Sequence, residues 1–267
     1  MKWKASCIQM DVSFGEPDDN YRRAKEWIER ASAGADSSTA ADLAVLLLPE
    51  LWTTGYDLSR LAAIADRNGD RTRAFLAGLA AACGSAIVGG SYARLADDGI
   101  YNSMPFFDSS GRLLGGYDKL HLFGLMKEPE HLLPGSGMGL FRLAGILCAG
   151  VVCYDIRFPE WIRAHALAGA EVLFAAAEWP ASRLEHWRAL LLARAIENQC
   201  YVVACNRVGS DPDNRFAGHS LIIDPWGRIL AEGGSEEQIV SAEIDLELVQ
   251  DVRSRIPVFR DRRPDWY

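Results

Sequence analysis

Four apolar runs in this chain stop abruptly at a polar or ionisable side chain. LAVLLLP (43–49) stops at Glu50, ILCAGVV (146–152) at Cys153, the run reaching Ala177 at Glu178, and YVVAC (201–205) at Asn206. Strands with nearly continuous apolar content are buried on both faces. The stretches between them, such as NYRRAKEWIERA (20–31), DRTRAFLAGLAAAC (70–83) and SRLEHWRALLLARAIEN (182–198), have the helical period needed to cover a sheet. The pattern therefore calls for a mixed α/β sandwich. In open α/β sheets ligands collect beyond the carboxyl ends of strands, which is where these polar residues fall.

The periodicity predicts strands over 3–12, 43–48, 86–92, 101–108, 112–117, 146–152, 171–176, 201–206, 217–223, 228–232 and 238–243. It predicts helices over 17–33, 70–83, 157–168 and 182–198. The stretch 118–142 and the basic tail IPVFRDRRPDWY read as irregular. SSG and PWG read as hairpin turns. No linker, short repeat or low-complexity segment breaks the chain, so residues 1–267 read as a single domain.

With 267 residues, 49% of them hydrophobic, the chain can bury a substantial core. A formal net charge of −8 argues against a nucleic-acid or anionic-membrane partner, both of which require a basic face. No apolar run is long enough to span a bilayer, and MKWKASCIQM lacks the apolar core of a signal peptide. A cytoplasmic location and a small-molecule partner are the expectation. The six cysteines include no CxxC pair and the five histidines no HExxH, so neither a disulfide framework, a metal site nor a cofactor is expected.

A third ionisable group ends the strand-like GRLLGGYD, at Lys119. A thiol, a carboxylate and an ammonium, each at the end of an element, supply what covalent acyl transfer needs. Cys153 requires a base or a positive field to attack at neutral pH. A helix beginning near Phe158–Pro159 would direct its amino-terminal dipole toward the sulfur. Glu50 lies between the apolar LAVLLLP and LWTTGY, a setting that desolvates a carboxylate and suits a proton carrier. Lys119, in the partly apolar GYDKLHLF, could favour a thiolate or hold an oxyanion. Read singly, each also fits a structural role: a buried thiol, a locally paired glutamate, an exposed lysine.

Taken together, PELWTTGY, YDKLHLF and GVVCYDIRFPEW resemble, in order and spacing, the three signature segments of the nitrilase superfamily of carbon–nitrogen hydrolases. GGSYARLADDGIYNS, LARAIENQCYVVACNRVG, FAGHSLIIDPWGRIL and DRRPDWY extend the resemblance over almost the whole chain. It implies a four-layer αββα sandwich and a Glu–Lys–Cys triad in which Glu50 is the base, Lys119 stabilises the oxyanion with the Tyr154 amide, and Cys153 is the nucleophile. The family's second glutamate falls in MKEPEHLLPG, where the spacing to Pro134 favours Glu128, leaving Glu130 to solvent.

AEWPASRLEHW and KLHLFGLMKEPEHLLPG resemble the ω-amidase-like branch. That resemblance implies hydrolysis of the terminal amide of a dicarboxylate monoamide, such as 2-oxoglutaramate or 2-oxosuccinamate. Arg157 would bind the far carboxylate; a salt bridge with Asp155 or Glu160 is its structural alternative. Tyr56, Trp179 and Phe123 would form apolar walls, and Arg183, at a helix start, would be structural. Glu178 occupies a position where ω-amidases often carry Asn, which keeps an N-carbamoyl amino acid amidohydrolase open as the alternative. A non-catalytic binding protein on the same fold is the rival of another class. The resemblance also implies a homodimer or larger homo-oligomer, with RFPEWIRAHALAGA and VFRDRRPDWY at the interface.

Overall fold

A computed structural model describes residues 1–33 and 41–266; the last residue of the DRRPDWY tail, Tyr267, lies outside the described residues. The first half of the chain runs β1 (Lys2–Gln9), α1 (Pro17–Ala33), β2 (Leu43–Leu47), α2 (Leu61–Ile64), β3 (Asp66–Arg67), α3 (Asp70–Cys83), β4 (Ala86–Val88), β5 (Tyr92–Leu95), β6 (Ile100–Phe107) and β7 (Leu113–Asp118). The second half runs α4 (Glu128–His131), β8 (Leu140–Leu143), β9 (Ile146–Val152), α5 (Pro159–Leu167), β10 (Val172–Ala177), α6 (Leu184–Asn198), β11 (Tyr201–Asn206), β12 (Leu221–Ile223), β13 (Ile229–Glu232), β14 (Gln238–Asp245) and α7 (Glu247–Arg255).

Two sheets form. One has the order β14-β1-β2-β4-β6-β5-β3 with β7 also paired to β6; the other has the order β13-β12-β11-β10-β9-β8. Side-chain alternation explains why the apolar runs are continuous. Along β2, Val45 and Leu47 face the central core shared with the second sheet, while Leu46 and Leu48 join the core formed with Tyr21, Ala24 and Ile28 of α1 and Leu76 of α3. On the far side, Trp187, Leu191 and Ala195 of α6 and Ile162 of α5 pack against the second sheet. The layers are thus α1 and α3, sheet, sheet, α5 and α6: the αββα sandwich.

Between the sheets, Phe106 of β6 stacks on Phe141 of β8 with centroids 4.0 Å apart. Gly150 of β9 lets the sheets approach closely, since a Cβ there would lie 2.5 Å from Phe106 Cε1 and 2.7 Å from Met104 Sδ.

The structure departs from the sequence reading at several elements. The single strand expected over 86–92 is β4 followed by a break, because Gly90 adopts a left-handed φ of +58°. A Cβ at Gly90 would come within 2.2 Å of the Pro49 carbonyl, so this break lets the chain pass under the Glu50 loop. Ser91 fastens that loop by accepting from Trp52 N at 2.9 Å and donating to the Pro49 carbonyl at 3.0 Å. The irregular stretch 118–142 contains α4 and the start of β8. The final β-strand, β14, pairs antiparallel with β1, so the first sheet takes strands from both ends of the chain. α7 was not expected: four of its nine residues are charged, and only Val249 and Val252 mark a buried face.

Candidate active site

Glu50, Lys119, Cys153 and Glu128 converge although the first and third are supplied by different sheets. Lys119 follows β7, with its amide donating to the Asn102 carbonyl at 2.9 Å and its carbonyl accepting from Gly135 N at 2.9 Å. Its ammonium, fully buried, lies 2.8 Å from Glu50 Oε1 and 2.7 Å from Glu128 Oε1. Glu50 Oε1 also accepts from Asn102 Nδ2 at 2.9 Å and Tyr56 OH at 3.0 Å, and its Oε2 accepts from the Glu178 amide at 3.0 Å. Glu128, at the start of α4, is fixed by Tyr56 OH at 2.5 Å and by the Phe123 amide at 2.8 Å. Glu130, two residues on, is exposed.

Cys153 leaves β9 with φ +46°, a left-handed conformation that costs a non-glycine residue about 1–3 kcal/mol. The sharp turn takes the thiol off the strand, as a nucleophile elbow does. The residue itself begins a 3-10 segment, Cys153–Arg157, and α5 starts only at Pro159. The thiol therefore lies at the start of that short turn, one turn before the helix whose dipole the sequence suggested.

The electrostatics differ from a preformed thiolate–lysine pair. Burial and then the Glu50 charge push the Cys153 thiol well above the ordinary range, with Lys119 opposing but not prevailing. Burial alone would lower the Lys119 basicity, yet the Glu128 and Glu50 carboxylates together raise it well above its ordinary value. Burial, reinforced by Glu50, raises Glu128 despite Lys119. Lys119 is thus a fixed cation, and the resting sulfur is a neutral thiol beside a carboxylate.

The turn is held by Asp155, which sequence reasoning treated only as a salt-bridge partner for Arg157. Its fully buried carboxylate accepts from the Val152 amide at 2.9 Å, Tyr117 OH at 2.8 Å, the His121 amide at 3.1 Å and His121 Nδ1 at 2.7 Å. One side chain thereby ties the Cys153 elbow to the segment that carries Lys119.

The thiol borders a narrow cleft lined by Phe123, Tyr154, Arg157, Glu178, Trp179 and Arg183 among others. Phe123 and Tyr154 pack with centroids 4.7 Å apart. Arg157 is over the Trp179 ring at 4.7 Å and bonds His186 Nδ1 at 3.3 Å; among the described residues it has no carboxylate partner, so the alternative of a bridge to Asp155 or Glu160 is not formed. Trp179 is positioned by Asn206, whose Oδ1 accepts from its amide at 2.6 Å.

Tyr56 is not an apolar wall: a buried phenol needs partners, and its hydroxyl joins the two glutamates. Glu178 is buried, with Oε2 accepting from Arg207 Nη1 at 3.0 Å while Oε1 has no partner among the described residues. Burial, only partly offset by Arg207 and increased by Glu50, pushes its carboxyl up to about 8. Arg207 and Asn102 were missed from sequence. Arg207 is linked to Asp11 at 2.7 Å, across 196 positions, and no local pattern signals such a contact. No group of three potential metal ligands occurs among the described residues, and no helix among them is long and apolar enough to cross a membrane.

A buried carboxylate, ammonium and thiol beneath a small cleft, on an αββα sandwich, are the groups a covalent hydrolase needs. The carbon-nitrogen hydrolase family pattern matches residues 4–254, and the chain belongs to that family. It is 54% identical, over the full length of both proteins, to the 2-oxoglutaramate amidase of Bacillus subtilis (strain 168). The fold is similar to that of Saccharomyces cerevisiae Nit3, a member of branch 10 of the nitrilase superfamily, with TM-score 0.87, 29% identity and coverage of 96% of this chain and 94% of that one. It is also similar to an amidase from Nesterenkonia sp. AN1 that carries an acrylamide adduct on its active site cysteine, with TM-score 0.80, 26% identity and coverage of 98% and 99%. The chain is accordingly a hydrolase of carbon–nitrogen bonds.

Proposed function

We propose that this protein is a single-domain amidase, spanning residues 1–267, that hydrolyses the terminal amide of a small carboxylate-bearing substrate of the 2-oxoglutaramate type. The observation that carries this reading is the convergence of the Cys153 thiol with the Glu50–Lys119–Glu128 cluster under a cleft edged by Arg157. The similarity to a 2-oxoglutaramate amidase supports the substrate class.

Glu50 takes the thiol proton as sulfur bonds to the amide carbon. Lys119 and the Tyr154 amide stabilise the oxygen that gains charge. The carbon–nitrogen bond breaks, Glu50 returns the proton to nitrogen, and ammonia leaves a thioester on Cys153. Glu50 then deprotonates a water that attacks the thioester, and the proton returns to the departing sulfur. Glu128 orients Lys119. Arg157 holds the far carboxylate, with Phe123, Tyr154, Trp179 and Glu178 shaping the cleft. Tyr56 keeps the two glutamates in register. These steps use only the chain's own groups and water.

The test is ammonia release across 2-oxoglutaramate, aliphatic amides and N-carbamoyl amino acids, in the parent and in Cys153→Ala. Loss of turnover in the variant with its fold retained is the expected result. Undiminished activity would remove Cys153 from the mechanism. Carbon dioxide release from an N-carbamoyl substrate in preference to the others would change the substrate class, and no turnover of any amide would favour a binding protein.

Assembly as a homodimer or larger homo-oligomer is part of the proposal. Leu167 of α5 and Trp266 of the tail are exposed apolar residues on the elements named for the interface, and Ile196 is exposed on α6, which packs against α5. Light scattering should give a multiple of the chain mass that Ile196→Asp reduces. A reducing compartment, the cytoplasm, suits a chain whose six cysteines are all free.

A further inference from the structure

Arg183 is half-buried in the cleft wall and lacks the protein partners that hold the buried arginines. Arg194 bonds the Ile156 carbonyl at 2.8 Å and Glu197 at 2.7 Å, and Arg207 is held by Asp11 and Glu178. Arg183, by contrast, places its guanidinium over the Phe123 ring at 5.6 Å, and among the described residues it has no carboxylate partner. It lines the same cleft as Cys153 and Arg157. Arg157 is likewise set over an aromatic ring, that of Trp179. Stacking occupies the face of a guanidinium and leaves its in-plane N–H donors available for an anion.

Two like charges sharing one narrow cleft repel each other. After burial, the Arg183 charge is the next cause lowering the basicity of Arg157. Such a pair is relieved when an anion lies between the two.

We infer that Arg183 and Arg157 together form a two-guanidinium clamp for the far carboxylate of the substrate, making Arg183 a specificity-determining residue rather than a structural one. The inference rests on the proposed amidase reading and deepens it. The two aromatic rings hold the guanidiniums, the clamp fixes the anionic end, and the amide carbon is thereby directed to the sulfur of Cys153. The ligand class is a short monoamide of a dicarboxylic acid.

Binding is measured by calorimetry in the Cys153→Ala protein, which cannot turn substrate over, with glutaramate and the uncharged pentanamide as probes. Adding Arg183→Gln should weaken glutaramate about ten- to hundredfold, the scale of a lost charge-assisted hydrogen bond. Pentanamide should weaken far less, so the ratio of the two affinities falls. Arg183→Lys should restore part of the ratio. In the catalytically intact protein the same change should appear chiefly in KM for the anionic amide. Equal weakening of both probes would mean that Arg183 only supports the cleft, and unchanged glutaramate binding would remove it from the site; either result overturns the inference. If the Cys153→Ala protein binds glutaramate through Arg183 while the parent hydrolyses no amide, the clamp stands and the amidase reading fails.

Discussion

The Cys153 thiol lies between opposing influences, and their balance decides how the reaction begins. Burial and the Glu50 carboxylate both disfavour a thiolate, and Lys119, already neutralised by two carboxylates, does not reverse them. Deprotonation therefore accompanies attack. Comparing thiolate ultraviolet absorbance of the parent with that of Cys153→Ala should show no difference at neutral pH; a thiolate band there would contradict the balance described. Glu178 provides a second titration. Its carboxyl rises from an ordinary 4.5 to about 8, so between those values the folded chain retains a proton that the unfolded chain releases. Stability from this group is fully present below the lower value and is lost as pH rises through the upper one. The thermal midpoint should fall across that window, and Glu178→Gln, which cannot titrate, should flatten the fall.

At the scale of elements, the site depends on where strands stop and how closely they approach. β9 must lie tightly against β6 for its end to present Cys153 to Lys119. Gly150→Ala would put a methyl into space already held by Phe106 and Met104, an overpacking worth about 1–3 kcal/mol. A lower thermal midpoint together with reduced kcat is the expected result. Gly78→Ala gives the contrast: within α3 an added Cβ meets nothing within 4 Å, so helix propensity alone should stabilise the chain by roughly 0.5–1 kcal/mol. The same geometry explains what could be read from sequence. Glu50, Lys119 and Cys153 were legible because each ends an apolar run, and α1 and α3 because their buried residues repeat with helical period. Asn102, Asp155 and Arg207 were not, since their roles arise from partners far along the chain. α7 and β5 were missed because a nine-residue helix with two buried valines and a four-residue strand carry little periodic signal.

At the scale of the molecule, the site spans the seam between the two sheets. Glu50 and Lys119 follow strands of the first sheet, and Cys153 and Glu178 follow strands of the second. No disulfide joins them; the sheets are held by a continuous apolar core that runs from Trp3 and Val45 to Val151 and Phe174. Separating them would expose this core and would also leave the Glu50, Glu128 and Lys119 charges without their neighbours, so a partly opened chain with active geometry has nothing to stabilise it. Amide hydrolysis and the far-ultraviolet helix signal should therefore fall on one curve in urea, as expected of a single cooperative transition. A range of urea in which α1, α3, α5 and α6 remain helical while activity is already gone would show instead that the sheets part before either half unfolds.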